Sequence, residues 1–112
     1  MYRSNPLRRY VSTLHCVHCG TPYVQVAHRN QLKGLGLKCS DGLVATLCPP
    51  EHARIDQGRD LLRDERRSLM DGYIRKTYAQ ALRRGDCKPA LLAEWKRELD
   101  AVGMLDNETK GA

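Results

Sequence analysis

The chain has no phenylalanine, a single tryptophan and no apolar run long enough to cross a bilayer. Each absence narrows what it can be. Without phenylalanine, Trp95 and five tyrosines carry all the aromatic bulk of a 112-residue protein whose apolar fraction is 41%. Such a chain builds one small core, and a small core often needs a staple. Internal repeats and low-complexity stretches are also missing, which excludes solenoids and disordered linkers. The opening stretch "MYRSNPLRRYVST" has arginines but no apolar h-region. The expectation is therefore a cytoplasmic protein with no membrane partner. In that reducing compartment disulfides are rare, and the cysteines at 16, 19, 39, 48 and 87 are free thiols or metal ligands.

Acidic residues are in deficit. Thirteen of them face nineteen lysines and arginines, for a net charge of +6. A basic balance speaks to partners rather than to fold, and nucleic acid comes first among them.

The chain changes character near residue 58. Beyond it, Leu69, Met70, Tyr73, Ile74, Tyr78, Ala81 and Leu82 recur at helical spacing within "RDERRSLMDGYIRKTYAQALRRG". Asp64 and Glu65 sit in the first turn of that helix, Arg83 and Arg84 in the last, and Gly85 stops it. Gly72 is an interior blemish. A second helix, "PALLAEWKRELDAVG", starts at Pro89. Before residue 58, "YVQVAHR" and "GLVATLC" read as strands, joined by a glycine- and lysine-bearing loop, "NQLKGLGLKCSD". Two prolines after Cys48 start a short helix that ends at Gly58. One domain is expected, with a core over 14–58, a helical extension over 60–103 and a tail over 104–112.

"HCVHCG" at 15–20 is a zinc-knuckle start, because Cys16-x-x-Cys19 lets two sulfurs reach one ion from a tight turn. Cys48, at a strand end just before a helix, is the third candidate ligand. Two residues compete to be the fourth. Cys48-x-x-x-His52 is an ordinary zinc spacing, and Glu51 places a carboxylate where a second Cys-x-x-Cys would place sulfur. The two lie about 100° apart around a helix, so they face different neighbours. His15, His18 and Cys39 are more remote candidates, and Cys87 is expected to be a plain thiol.

The ordered set Cys16-x-x-Cys19, Ala27-His28, Lys33-Gly34-Leu35-Gly36-Leu37-Lys38, Asp41, Cys48, His52 and Ile55-Asp56 resembles the HNH endonucleases. The small prophage YbcO-like nucleases are the nearer likeness, over about residues 14–60. That resemblance implies an α+β fold: a ββα-metal module on a treble-clef zinc frame, followed by two packing helices. It implies a metal-dependent endonuclease that hydrolyses phosphodiester bonds in DNA, in phage or prophage recombination or DNA processing. His28 would be the general base, since an imidazole titrates near working pH. Asp41 would orient His28 or touch the metal. His52 and Asp56, four apart on one helix face, would hold one catalytic Mg²⁺ or Mn²⁺. If His52 faces that ion, Glu51 completes the structural Zn²⁺ with Cys16, Cys19 and Cys48. Two departures stand out: Glu51 where relatives have a cysteine, and Ala27 where many HNH enzymes have a metal-binding aspartate or histidine. Arg29, Lys33 and Lys38 are the candidate nucleic-acid contacts; the two lysines flank glycines that let backbone approach a phosphate. The alternative is a zinc-stapled nucleic-acid-binding module whose nuclease site has decayed.

Overall fold

The computed structural model describes residues 2–29 and 40–105. Lys33, Lys38 and Cys39 lie outside the described residues. Four helices and one two-stranded antiparallel sheet are present among those described, an α+β arrangement. The order is α1 (Asn5–Val11), β1 (Gln25–His28), β2 (Val44–Leu47), α2 (Pro49–Gln57), α3 (Arg63–Arg84) and α4 (Pro89–Ala101).

The sheet is short, with Gln25 opposite Leu47 and His28 opposite Val44. Two strands alone would be marginal in water, and an open edge invites wrong pairing. Here the free edge of β2 is covered. The Thr46 N–H donates to Thr77 Oγ1 of α3 at 3.1 Å, and the Thr46 carbonyl accepts from the Val17 N–H at 3.1 Å. Thr77 in turn donates to the Tyr73 carbonyl at 2.8 Å, so neither buried hydroxyl function is stranded. All four residues of β2 are buried, as a strand enclosed on both faces requires.

The sequence-predicted helices α3 and α4 form at the expected places. Met70, Tyr73, Ile74, Thr77, Tyr78 and Ala81 are the buried stripe of α3, which packs on β2. Glu65 accepts from the Leu62 N–H at 2.8 Å in its first turn, and Gly85 ends it in the left-handed region with φ 70°. Trp95 of α4 is fully buried and meets Tyr78 edge-on, with ring centroids 5.1 Å apart. α4 also runs close to the 40–42 turn: a Cβ on Gly42 would stand 2.5 Å from Glu98 Cβ, so this position accepts no side chain without movement.

Two features depart from expectation. α1 forms in the stretch before the knuckle, where no element is expected. Ser4 caps it by accepting from the Leu7 N–H at 3.1 Å, and Leu7 and Val11 enter the core. The expected tail over 104–112 starts too early. After α4 the chain turns at Gly103 (φ 69°), the Met104 N–H reaches the Leu99 carbonyl at 3.0 Å, and Met104 is buried in the core. An apolar residue just past a helix-ending glycine packs back on the last turns, and this one does. No helix among the described residues is long and apolar enough to cross a membrane.

Candidate metal centre and histidine–aspartate pair

Two clusters occupy the module around the sheet. The first is built on the knuckle. Cys16, Cys19 and Cys48 bring their sulfurs within 4.8 Å of one another. Three sulfurs about 2.3 Å from a tetrahedral ion sit about 3.8 Å apart, so the cluster needs only a small contraction to hold zinc. The Gly20 N–H closes the knuckle turn on the Cys16 carbonyl at 2.9 Å, and Gly20, at φ 83°, turns the chain back so that the Thr21 carbonyl accepts from the Cys16 N–H at 2.9 Å. The N–H groups of His18 (3.3 Å) and Cys48 (3.2 Å) point at the Cys16 sulfur. Burial alone pushes the Cys16 thiol up; those N–H groups, with that of Cys19, outweigh it and hold the thiol below its ordinary value. Cys48 goes the other way, raised by burial and by the neighbouring thiols. A cation in their midst would relieve this crowding of ionisable sulfurs.

No further His, Asp or Glu among the described residues joins this group within the same span. Glu51 lies one helical turn along, buried, with Oε2 accepting from Tyr73 Oη at 2.7 Å and from Arg54 Nη1 at 3.0 Å. Its Oε1 stands 3.8 Å from His18 Nε2, and His18 Nδ1 meets Tyr73 Oη at 3.0 Å. Burial, then the Glu51 carboxylate, push the Tyr73 phenol well above its usual value, so it stays a donor. His52 is turned elsewhere: Nδ1 lies 2.7 Å from Gln25 Oε1 and Nε2 lies 3.4 Å from Asp56 Oδ2. Cys87 is buried and stands outside the cluster.

No protein-family model, no curated protein and no solved structure matches the chain.

The second cluster centres on Asp41, which is 1% exposed. Its Oδ1 lies 2.8 Å from His28 Nε2 and 3.2 Å from Arg3 Nη1. Its Oδ2 accepts from the Ser4 N–H at 2.7 Å and faces Arg8 Nε at 3.3 Å. Donors thus surround both oxygens, as a buried carboxylate requires. Burial by itself raises the Asp41 carboxyl, but the His28 bond, the Ser4 N–H and the Arg8 charge prevail and hold it below the usual carboxylate range. A carboxyl depressed by folding adds stability that is complete above its unfolded value, about 3.9. That stability is lost as pH falls through the lower folded value. Acid unfolding followed by circular dichroism should therefore show wild type losing stability below about pH 4 more steeply than Asp41→Asn. Parallel acid limbs would refute this role for the carboxylate.

His28 keeps about a third of its side chain exposed while Asp41 holds its Nε2. Arg29, next in the chain, makes a two-pronged pair with Asp71 of α3, at 3.0 and 3.2 Å. It ties the end of β1 to α3. The Asp41 partners Arg3, Ser4 and Arg8, and the Glu51 partners Tyr73 and His18, escape sequence reasoning. They meet across long chain separations with no local pattern.

Proposed function

We propose that the protein is a metal-dependent endonuclease of the HNH type, with a treble-clef zinc frame, that hydrolyses phosphodiester bonds in DNA. The observation that carries the reading is the His28–Asp41 pair. A carboxylate that accepts from Nε2–H fixes that tautomer and leaves Nδ1 with its lone pair, ready to take a proton from an attacking water. Asp41 is the positioning residue and His28 the base.

His52 and Asp56 would hold the divalent ion. Cis ligands of an octahedral ion with bonds near 2.1 Å sit about 3 Å apart, and the 3.4 Å between His52 Nε2 and Asp56 Oδ2 fits that edge. The Gln25 amide oxygen orients the His52 ring from behind, as outer-shell partners do. Bound Mg²⁺ or Mn²⁺ would supply charge stabilisation to the scissile phosphate and the leaving oxygen. With His52 turned to Gln25 and Asp56, the fourth zinc position on Cys16, Cys19 and Cys48 would fall to Glu51 through Oε1, since its Oε2 is taken by Tyr73 and Arg54. The net charge of +6 suits a polyanionic substrate.

The protein with Mg²⁺ or Mn²⁺ should nick supercoiled plasmid, and chelator should stop it. Absence of cleavage on duplex, branched and single-stranded DNA across a range of salt would sink the nuclease reading. A second reading, a zinc-stapled nucleic-acid-binding module without catalysis, draws on one observation. Among the described residues His28, His52 and Asp56 do not close into a single metal-sized group. DNA binding with no Mn²⁺ uptake and no nicking would favour it.

A further inference from the structure

We propose that Arg63, Arg66 and Arg67 of α3 hold the phosphodiester backbone of DNA beside the His52–Asp56 pair. The inference rests on the nuclease reading for the substrate, and deepens it by assigning residues that grip the strand. The inward stripe of α3 changes chemistry along its length. From Met70 onward it is the apolar face that packs on β2. Arg67, Arg66 and Arg63 precede Met70 by three, four and seven positions, which puts them on the same face of the helix. A core-facing stripe is ordinarily apolar along its length, yet the first two turns of this one are cationic. Arg66 and Arg67 are half-buried and Arg63 is exposed.

Among the described residues none of the three forms an ion pair, even though Asp64 stands only three positions before Arg67. The other nearby acids are engaged elsewhere. Asp60 pairs with Arg54 at 2.9 Å, Asp71 pairs with Arg29 at 3.0 Å, and Glu65 accepts from the Leu62 N–H. The contact Arg66 makes among the described residues is to a neutral group, from Nη1 to the Asp56 carbonyl at 3.4 Å. A half-buried cation without a counter-ion gives up hydration uncompensated, and the first turns of a helix repel positive charge besides. An external anion would relieve both. The Asp56 contact also fixes where that anion lies. Arg66 touches the backbone of a residue whose carboxylate stands 3.4 Å from His52 Nε2, so the cationic face begins next to the pair read as ion ligands. The planar fork of a guanidinium matches phosphate oxygens, and a DNA strand carries one charge at every nucleotide for successive arginines to meet.

The test measures binding with no Mg²⁺ or Mn²⁺ added, so it is independent of cleavage. A short labelled DNA duplex is titrated over a range of salt with wild type, with the Arg63→Gln, Arg67→Gln double variant, and with a control pair, Arg83→Gln with Arg97→Gln. The control removes the same charge from the far end of α3 and from α4. Arg63 and Arg67 have no partner to lose among the described residues, so the double variant should melt with wild type. The expected loss is about tenfold in affinity, with a log–log salt slope shallower by about 2, one unit per phosphate contact. Adding Arg66→Gln should flatten the slope by about one unit more, while the control pair stays within about twofold of wild type. Equal loss in the two pairs would mean that net charge alone binds DNA and would overturn the proposal. Unchanged affinity and slope in the double variant would overturn it too. So would loss on a polyglutamate probe with none on DNA, which would give the face to an acidic protein. DNA binding that needs these arginines, in a protein that never nicks, removes the nuclease reading alone; nicking by a double variant that binds like wild type removes the arginine face alone.

Discussion

Plasmid cleavage by His28→Ala should fall by roughly 10²–10⁴-fold relative to wild type, the range a positioned acid–base group supplies. The fold should survive the change. His28 ends a strand with a third of its side chain exposed, and it is not part of the apolar core. Its removal does not strand Asp41 either, because Ser4, Arg3 and Arg8 still donate to both oxygens. Melting temperature and zinc content therefore serve as internal controls and should stay near wild type. Imidazole added to the variant should restore part of the rate, since it returns a base without a side chain. Cleavage that is equal in wild type and His28→Ala would remove His28 from the reaction and leave the binding-module reading ahead.

The second large effect concerns the cysteine cluster. Stripping the metal, or replacing Cys16 by serine, should cost on the order of 5 kcal/mol and unfold the chain near physiological temperature. Cys16 is buried, its sulfur takes N–H bonds from His18 and Cys48, and the knuckle backbone feeds β2 through the Val17–Thr46 bond. Loss of a bound ion would therefore loosen the strand on which α3 packs. Elemental analysis should find one zinc per chain in wild type and none in Cys16→Ser. Cys87→Ser should keep the full amount, because Cys87 stands outside the cluster. Wild type without stoichiometric metal, or a melt indifferent to chelator, would refute the staple.

The legible parts of this protein are those whose signal is local. The α3 stripe from Met70 to Tyr78 repeats at the helical period, Gly85 marks its end, and prolines at 49, 50 and 89 mark two starts. The three cysteines were legible because a knuckle spacing and a strand-end cysteine have few other uses. α1 was not, since seven residues make barely two turns, too few for the Leu7–Val11 spacing to stand out. The Asp41 surroundings were hidden for a different reason. Ser4 and Asp41 are 37 positions apart, and nothing near either one announces the other. The Arg29 pairing was hidden in the same way, since its partner Asp71 lies 42 positions on. Glu51 looked like a substitute cysteine, and the chain gave no sign that Tyr73 and Arg54 would share its carboxylate.

The last helix has one more consequence. Glu94 of α4 accepts from Tyr2 Oη at 2.7 Å, and Glu98 accepts from Ser40 Oγ at 2.6 Å, so α4 grips the chain on either side of the Ser4–Asp41 contact. During synthesis, His28 and Asp41 emerge from the ribosome long before residue 98 does. A chain made only as far as Asp41 thus has His28 and Asp41 without the two α4 braces. Order at the pair therefore waits on a helix whose Glu98 lies 58 positions beyond Ser40.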